Sequence, residues 1–151
     1  MLTACGYQLR QSIDLPEQYK PVGIDLDRQY RDLRKAISDE LEANFLEQAN
    51  NNEDANLIIH FESVLQDNQL LTASAEGSPV ERELVLIARV SWLDAEGKVV
   101  IPAEKFSLRR AYAYDDRAIL SKEREADYLM TELEKDLAQR IVIRIRQYLK
   151  N

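Results

Sequence analysis

The chain is poor in the residues that build catalytic centres, metal sites and cross-linked scaffolds. Its 151 residues include one cysteine and one histidine. A single cysteine excludes a disulfide bond within the chain, and no two histidines or cysteines have the spacing of a metal site. Four glycines and four prolines are too few for a linker-rich chain. No run of 18 apolar residues occurs, so we expect no membrane-spanning helix.

Catalytic motifs are also missing. His60 stands in an alternating strand pattern, with no nucleophile or orienting group to complete a catalytic arrangement, which is typical of a half-exposed structural side chain. No glycine-rich phosphate loop is present. The acidic pair Asp115-Asp116 fits a turn that leads into a helix. We therefore predict that the protein is not an enzyme and uses no catalytic residue, metal or cofactor.

The composition favours one well-solvated domain. Hydrophobic residues make up 45% of the chain and charged residues 31%. A chain of this length would bury about 68–70% of the surface that it exposes when unfolded. The net charge of −7 argues against general affinity for nucleic acids, which need a basic surface. We predict a polar tether over residues 1–18 and a single α/β domain over residues 19–151.

The spacing of apolar residues predicts the order β-α-β-β-β-α. A short strand over 19–24 is expected at a sheet edge, because Pro21 cannot donate a backbone hydrogen bond. Asp25 or Asp27 could cap the first helix. The apolar positions of that helix recur every three or four residues, at Tyr30, Leu33, Ile37, Leu41 and Phe45.

Three longer strands and a second helix follow. Residues 57–65 alternate with an imperfect period of two that places Leu57 and Leu65 on the same face, and residues 84–92 alternate cleanly. A turn with Gly97 leads into the last strand, over 99–114, where Pro102 predicts a bulge or a change of partner. The last helix is predicted over 121–149.

Each predicted helix has one apolar stripe, so both should cover the same face of a mixed four-stranded sheet. The expected fold is therefore an α+β two-layer sandwich. The other sheet face mixes polar with apolar side chains and could meet a partner; its residues are His60, Glu62, Val85, Ile87, Arg89 and Ser91.

A basic segment precedes and enters the last helix. Between residues 104 and 124, six cationic residues stand against four acidic ones. Arg109, Arg110, Arg117 and Lys122 are our candidates for binding an anionic, phosphorylated ligand, because arginine offers a fixed fork of donors and lysine a mobile charge. The alternative is a solvated turn with local ion pairs.

The N-terminus carries a short processing motif. In Leu2-Thr3-Ala4-Cys5 an apolar residue and two small residues precede a cysteine, as in bacterial lipoprotein processing sites. Gly6 then opens a flexible segment suited to a tether. We predict that Cys5 carries a lipid anchor. No charged and apolar signal segments precede the motif, so we expect a longer natural precursor. If Met1 is instead the initiator, Cys5 has no export signal and no lipid anchor is expected.

Taken together, these segments resemble the lipopolysaccharide-assembly lipoprotein family, also called rare lipoprotein B. Cys5-Gly6-Tyr7-Gln8-Leu9-Arg10 is similar to the family's mature N-terminus. The similarity continues through Leu33-Arg34-Lys35-Ala36-Ile37 and is clearest over 107–143, where a basic and aromatic strand end precedes a long helix.

The resemblance implies a non-catalytic lipoprotein of the cell outer membrane, lipid-anchored on the periplasmic side. Such a protein helps to assemble and plugs the large β-barrel of the lipopolysaccharide translocon, and it contacts lipopolysaccharide. Lys122 matches a basic position associated with ligand contact, and Arg110 matches a nearby basic strand residue. The segment 72–79 lacks the lysine or arginine that family members can carry there, so Arg82 is the nearest substitute. The alternative function is a generic outer-membrane adapter that binds no glycolipid.

Overall fold

The computed structural model describes residues 13–149, and these form the expected α+β architecture. The helices and strands are β1 (Val22–Asp25), α1 (Arg31–Ala43), β2 (Leu57–Ala73), β3 (Pro79–Asp94), β4 (Val99–Ala113) and α2 (Ile119–Leu149). The sheet order is β1-β2-β3-β4, with β1 parallel to β2 and the other pairs antiparallel. The predicted element order and mixed sheet are confirmed. Neither helix, in the part of the chain described, is long and apolar enough to cross a membrane.

The core lies between the helices and one face of the sheet. Alternate residues of β3 over 84–92 are at most 2% exposed, which confirms the predicted core face. The helices supply the matching apolar residues, which are Leu33, Ile37, Leu41, Leu133, Leu137, Ile141 and Ile145. Burying one such side chain stabilises the fold by about 1.5–3 kcal/mol. Ile13 and Leu15, from the segment predicted as a tether, are buried against the same core.

The apolar stripe of α1 is shorter at both ends than the sequence predicted. Tyr30 precedes the helix, and neither Asp25 nor Asp27 caps it. Phe45 is 79% exposed, because the helix ends before it and Phe45 has a left-handed φ of +59°. The N–H groups of Phe45 and Leu46 donate to the carbonyl oxygens of Glu42 and Leu41, each at 3.0 Å. This Schellman ending directs the buried Leu46, rather than Phe45, into the core.

A bulge in β2 changes which of its residues face the helices. The pairing of β2 with β3 shifts by one residue between Phe61 and Ser63. Such a shift moves every later side chain to the opposite face. Leu65, expected to continue the core face, is therefore 48% exposed, whereas Gln66 points to the helix layer and donates to Glu134 of α2 at 2.6 Å.

The β3–β4 hairpin has the expected turn and bulge. Gly97 has a φ of +80°, and the Asp94 carboxylate accepts hydrogen bonds from the backbone N–H groups of Glu96 and Lys98. The β3–β4 pairing shifts by one residue around Pro102, opposite Ser91. Beyond this bulge, β4 stays paired with β3 as far as Ala113, where the chain turns towards α2.

Candidate binding site at the end of the sheet

Three of the four candidate cations, Arg110, Arg117 and Lys122, lie where β2 turns into β3 and β4 leads into α2. The backbone N–H of Tyr114 donates to the carbonyl oxygen of Val80 at 2.9 Å, which joins the end of β4 to the start of β3. Arg82 pairs with Leu70 on one side and Tyr112 on the other, which aligns three strands. We call this region the distal end; it comprises residues 68–72, 80–84, 110–114 and 116–127.

A cavity of about 290 Å³ lies between the sheet and α2 at the distal end. Its lining residues are Asn68, Arg82, Tyr112, Tyr114, Glu123, Ala126 and Asp127. Arg82 donates to the side-chain and backbone oxygens of Asn68 at 3.0 and 2.9 Å, and Asn68 Nδ2 donates to the Tyr112 hydroxyl at 2.9 Å. The Arg82 guanidinium also lies 5.4 Å from the Tyr114 ring centre, a cation–π distance. These contacts hold the sheet side of the cavity in one arrangement.

The structure places Arg109 and Arg110 on opposite faces of the sheet. Side chains alternate along a strand, so Arg110 shares the helix-facing side with Tyr112, and Arg109 points to the open face. Arg109 Nη1 lies 2.9 Å from Glu83 Oε2 in an ion pair. Arg110 is exposed and forms no ion pair within residues 13–149. Of these two candidates, only Arg110 lies on the side of the cavity.

The remaining two candidates lie where β4 leads into α2. Lys122 is in the first turns of α2, one turn before the buried Ala126, and only 21% of its side chain is exposed. Its Nζ atom lies 2.7 Å from Glu125 Oε2. Arg117 belongs to a short 3-10 turn, where its backbone N–H donates to Asp115 Oδ1 at 2.9 Å. Arg110, Arg117 and Lys122 therefore share the distal end.

Two side chains in the cavity wall, Arg82 and Asn68, were predicted only partly or not at all from the sequence. Arg82 was predicted only as a substitute for a missing loop cation, yet it is the centre of the hydrogen-bond network. Asn68 was not predicted at all, because it faces the cavity only after the bulge in β2 has shifted its strand by one residue. The sequence signal of that bulge is the imperfect alternation over 57–65, which does not by itself give the new register.

Two titratable groups away from the distal end, His60 and Glu134, have structural partners. His60 Nδ1 lies 2.6 Å from Asp25 Oδ2 and is 34% exposed, as expected for a structural histidine at a strand pair. Glu134 is 5% exposed, and its burial raises the pKa of the carboxyl, opposed by the hydrogen bond from Gln66. Within residues 13–149, no group of three acidic, histidine or cysteine side chains could hold a metal ion.

Two helices on one face of a mixed sheet, with a cationic and aromatic distal end, define an α+β domain suited to binding. The family model for lipopolysaccharide assembly, LptE, matches residues 19–145. The chain therefore belongs to the lipopolysaccharide-assembly family, which confirms the resemblance. Comparison with curated proteins gave no match.

Solved structures of lipoproteins share the fold. The minor lipoprotein of Acinetobacter baumannii is 26% identical, with a TM-score of 0.72, over 85% of this chain and 92% of that one. Lipoprotein B of Nitrosomonas europaea is also 26% identical, with a TM-score of 0.69, over 95% and 90% of the two chains. The rare lipoprotein B of Shewanella oneidensis, 20% identical with a TM-score of 0.69 over 84% and 94%, supports the fold alone.

Family membership establishes the general function. The protein is a lipopolysaccharide-assembly lipoprotein of a non-catalytic family, whose members are membrane-associated and work with the lipopolysaccharide transport machinery. The predicted anchor, Cys5, lies outside the described residues.

Proposed function

We propose that the domain binds lipopolysaccharide at its distal end while it plugs the outer-membrane β-barrel that delivers lipopolysaccharide to the cell surface. The observation that carries the proposal is the position of Arg110, which is exposed beside Tyr112 and has no ion-pair partner within residues 13–149. Lipid A presents phosphate groups, and a guanidinium fork matches phosphate oxygens through two parallel hydrogen bonds.

Lys122 supplies a second cation on the α2 side of the distal end. Its ion pair with Glu125 joins partly exposed side chains three residues apart on one helix. Exposed pairs of this kind contribute only about 0–1 kcal/mol. A phosphate can therefore compete with Glu125 for the Lys122 ammonium group, and Arg117 can add a third cation from the turn between β4 and α2.

The surface of the domain suits the lumen of a large barrel, which is polar. The open sheet face carries two ion pairs, Arg89–Glu62 and Arg109–Glu83, at 2.7 and 2.9 Å. A two-layer domain is also a rigid body wider than a loop. These properties support a plug that helps the barrel to assemble.

A lipid on Cys5 would hold the domain at the periplasmic side of the outer membrane. One acyl chain alone gives only marginal membrane binding, so we expect several chains at this cysteine. When the precursor is expressed with its natural signal peptide, metabolic labelling with a fatty acid should mark the wild-type protein and leave Cys5→Ala unlabelled. Label retained by the variant would place the lipid elsewhere.

Direct binding separates this function from that of a generic adapter lipoprotein. The purified full chain should bind lipopolysaccharide saturably, and the affinity should fall as salt rises, because charges are screened over about 8 Å at 0.15 M and about 3 Å at 1 M. Titration at both ionic strengths tests this. If no binding is seen even at the lower ionic strength, the adapter is favoured.

A further inference from the structure

Large apolar side chains are exposed at the distal end. Leu70 and Leu71 lie near the end of β2, Val80 at the start of β3, and Ile119 and Leu120 at the start of α2, with exposed fractions between 46% and 74%. We call these five residues the apolar rim. Concentrations of exposed apolar side chains on soluble domains mark interaction sites.

Two residues of the apolar rim, Leu70 and Leu120, lie beside residues that line the distal cavity. Leu70 follows Asn68 by two residues on β2, so both side chains are on the helix-facing side. Leu120 precedes Glu123 by one helical turn and shares its side of α2. Asn68 on β2 and Glu123 on α2 both line the cavity, so Leu70 and Leu120 each neighbour a lining residue, one on the sheet and one on the helix.

Cations lie on α2 itself and on the elements next to the rim. Arg110 lies on β4, Arg117 in the turn before α2, and Lys122 two residues after Leu120. Apolar side chains next to cations complement an anionic amphiphile, since binding grows with buried apolar area and with attraction to its anionic group. The polar wall of a barrel lumen would leave the rim without an apolar partner.

We propose that the apolar rim packs against the acyl chains of the glycolipid whose phosphates bind Arg110 and Lys122. This inference rests on the proposed function and adds a second contact to it, with the hydrophobic part of the ligand. The rim then selects acylated ligands, whereas the cations select phosphorylated ones.

The test compares two ligands and two matched double variants of the full chain. Leu70→Gln/Leu120→Gln changes the rim. Val99→Gln/Tyr148→Gln is the control, since these side chains are 54% and 42% exposed at the opposite end of β4 and α2. The ligands are lipopolysaccharide and its fully deacylated form, which keeps the phosphates. All variants are first compared with wild type by thermal unfolding, and Leu71→Gln/Ile119→Gln is the second rim variant if the first does not fold.

We expect the rim variant to bind lipopolysaccharide at least tenfold more weakly than wild type and to bind the deacylated form as wild type does. The control should match wild type with both ligands. Unchanged lipopolysaccharide binding by the rim variant would overturn the inference, as would equal losses for both ligands. If the rim variant bound lipopolysaccharide as wild type does but no longer co-purified with a β-barrel from outer-membrane extracts, the rim would contact the barrel instead. Wild type that binds neither ligand would contradict the proposed function itself.

Discussion

Reversing the charges of Arg110 and Lys122 together should weaken lipopolysaccharide binding by at least tenfold. A hydrogen bond to a charged group contributes about 1.5–3 kcal/mol, and 1.4 kcal/mol corresponds to a factor of ten in affinity. The variant Arg110→Glu/Lys122→Glu loses two such contacts and places negative charge opposite the phosphates. Equilibrium titration with lipopolysaccharide measures the effect, after a check that the variant unfolds at the wild-type temperature.

The helix itself offers a matched control for this charge reversal. Lys135 is paired at 2.8 Å with Glu132, three residues away on α2, as Lys122 is paired with Glu125. Arg140 is exposed and, within residues 13–149, has no ion pair. Arg140→Glu/Lys135→Glu therefore changes the net charge equally and should bind like wild type. Equal binding by wild type and both double variants would show that the ligand does not bind at the distal end.

In the same experiment, Arg109→Glu tests which face of the sheet binds the ligand. Because Arg109 points to the open face and is paired with Glu83, its reversal should change binding far less than that of Arg110. A loss for Arg109→Glu as large as that for the double variant would place the ligand on the open face.

Replacing Leu137 by alanine should lower the free energy of unfolding by about 2–5 kcal/mol. Leu137 is fully buried between α2 and the sheet, and its truncation leaves a cavity as well as losing apolar contact. Denaturant unfolding measures the loss. Tyr128→Ala is the control on the same helix, because Tyr128 is 63% exposed and surface substitutions usually change stability by less than about 0.5 kcal/mol. An unchanged midpoint for Leu137→Ala would mean that this stripe does not form the core.

Much of the fold could be predicted from the spacing of apolar residues. A periodicity within one helix or one strand is visible in the sequence itself. This holds for the apolar stripe of α2, with Leu133 and Leu137, and for the alternation over 84–92. Phe45 and Leu65 were misplaced for a different reason. A Schellman ending and a β-bulge each introduce a local change of direction. Which side chain then faces the core depends on contacts with other parts of the chain, namely the burial of Leu46 and the pairing of β2 with β3.

The candidate site was predicted in part for the same physical reason. Arg110, Arg117 and Lys122 are close in sequence on consecutive elements, so a charge count over 104–124 finds them together. The contact between Arg82 and Asn68 joins two strands through their register, which the sequence does not display. Composition therefore located the cations but not the wall of the cavity beside them.

The place that we propose for this domain, inside a large outer-membrane β-barrel, is tested most directly by co-purification. The precursor with its natural signal peptide would be expressed in its own host, extracted from outer membranes with mild detergent and purified through a tag at the C-terminus. We predict that one large β-barrel protein co-purifies in equal molar amount, together with lipopolysaccharide. Recovery with only soluble or peptidoglycan-associated partners, and no barrel, would contradict the claim and favour the adapter.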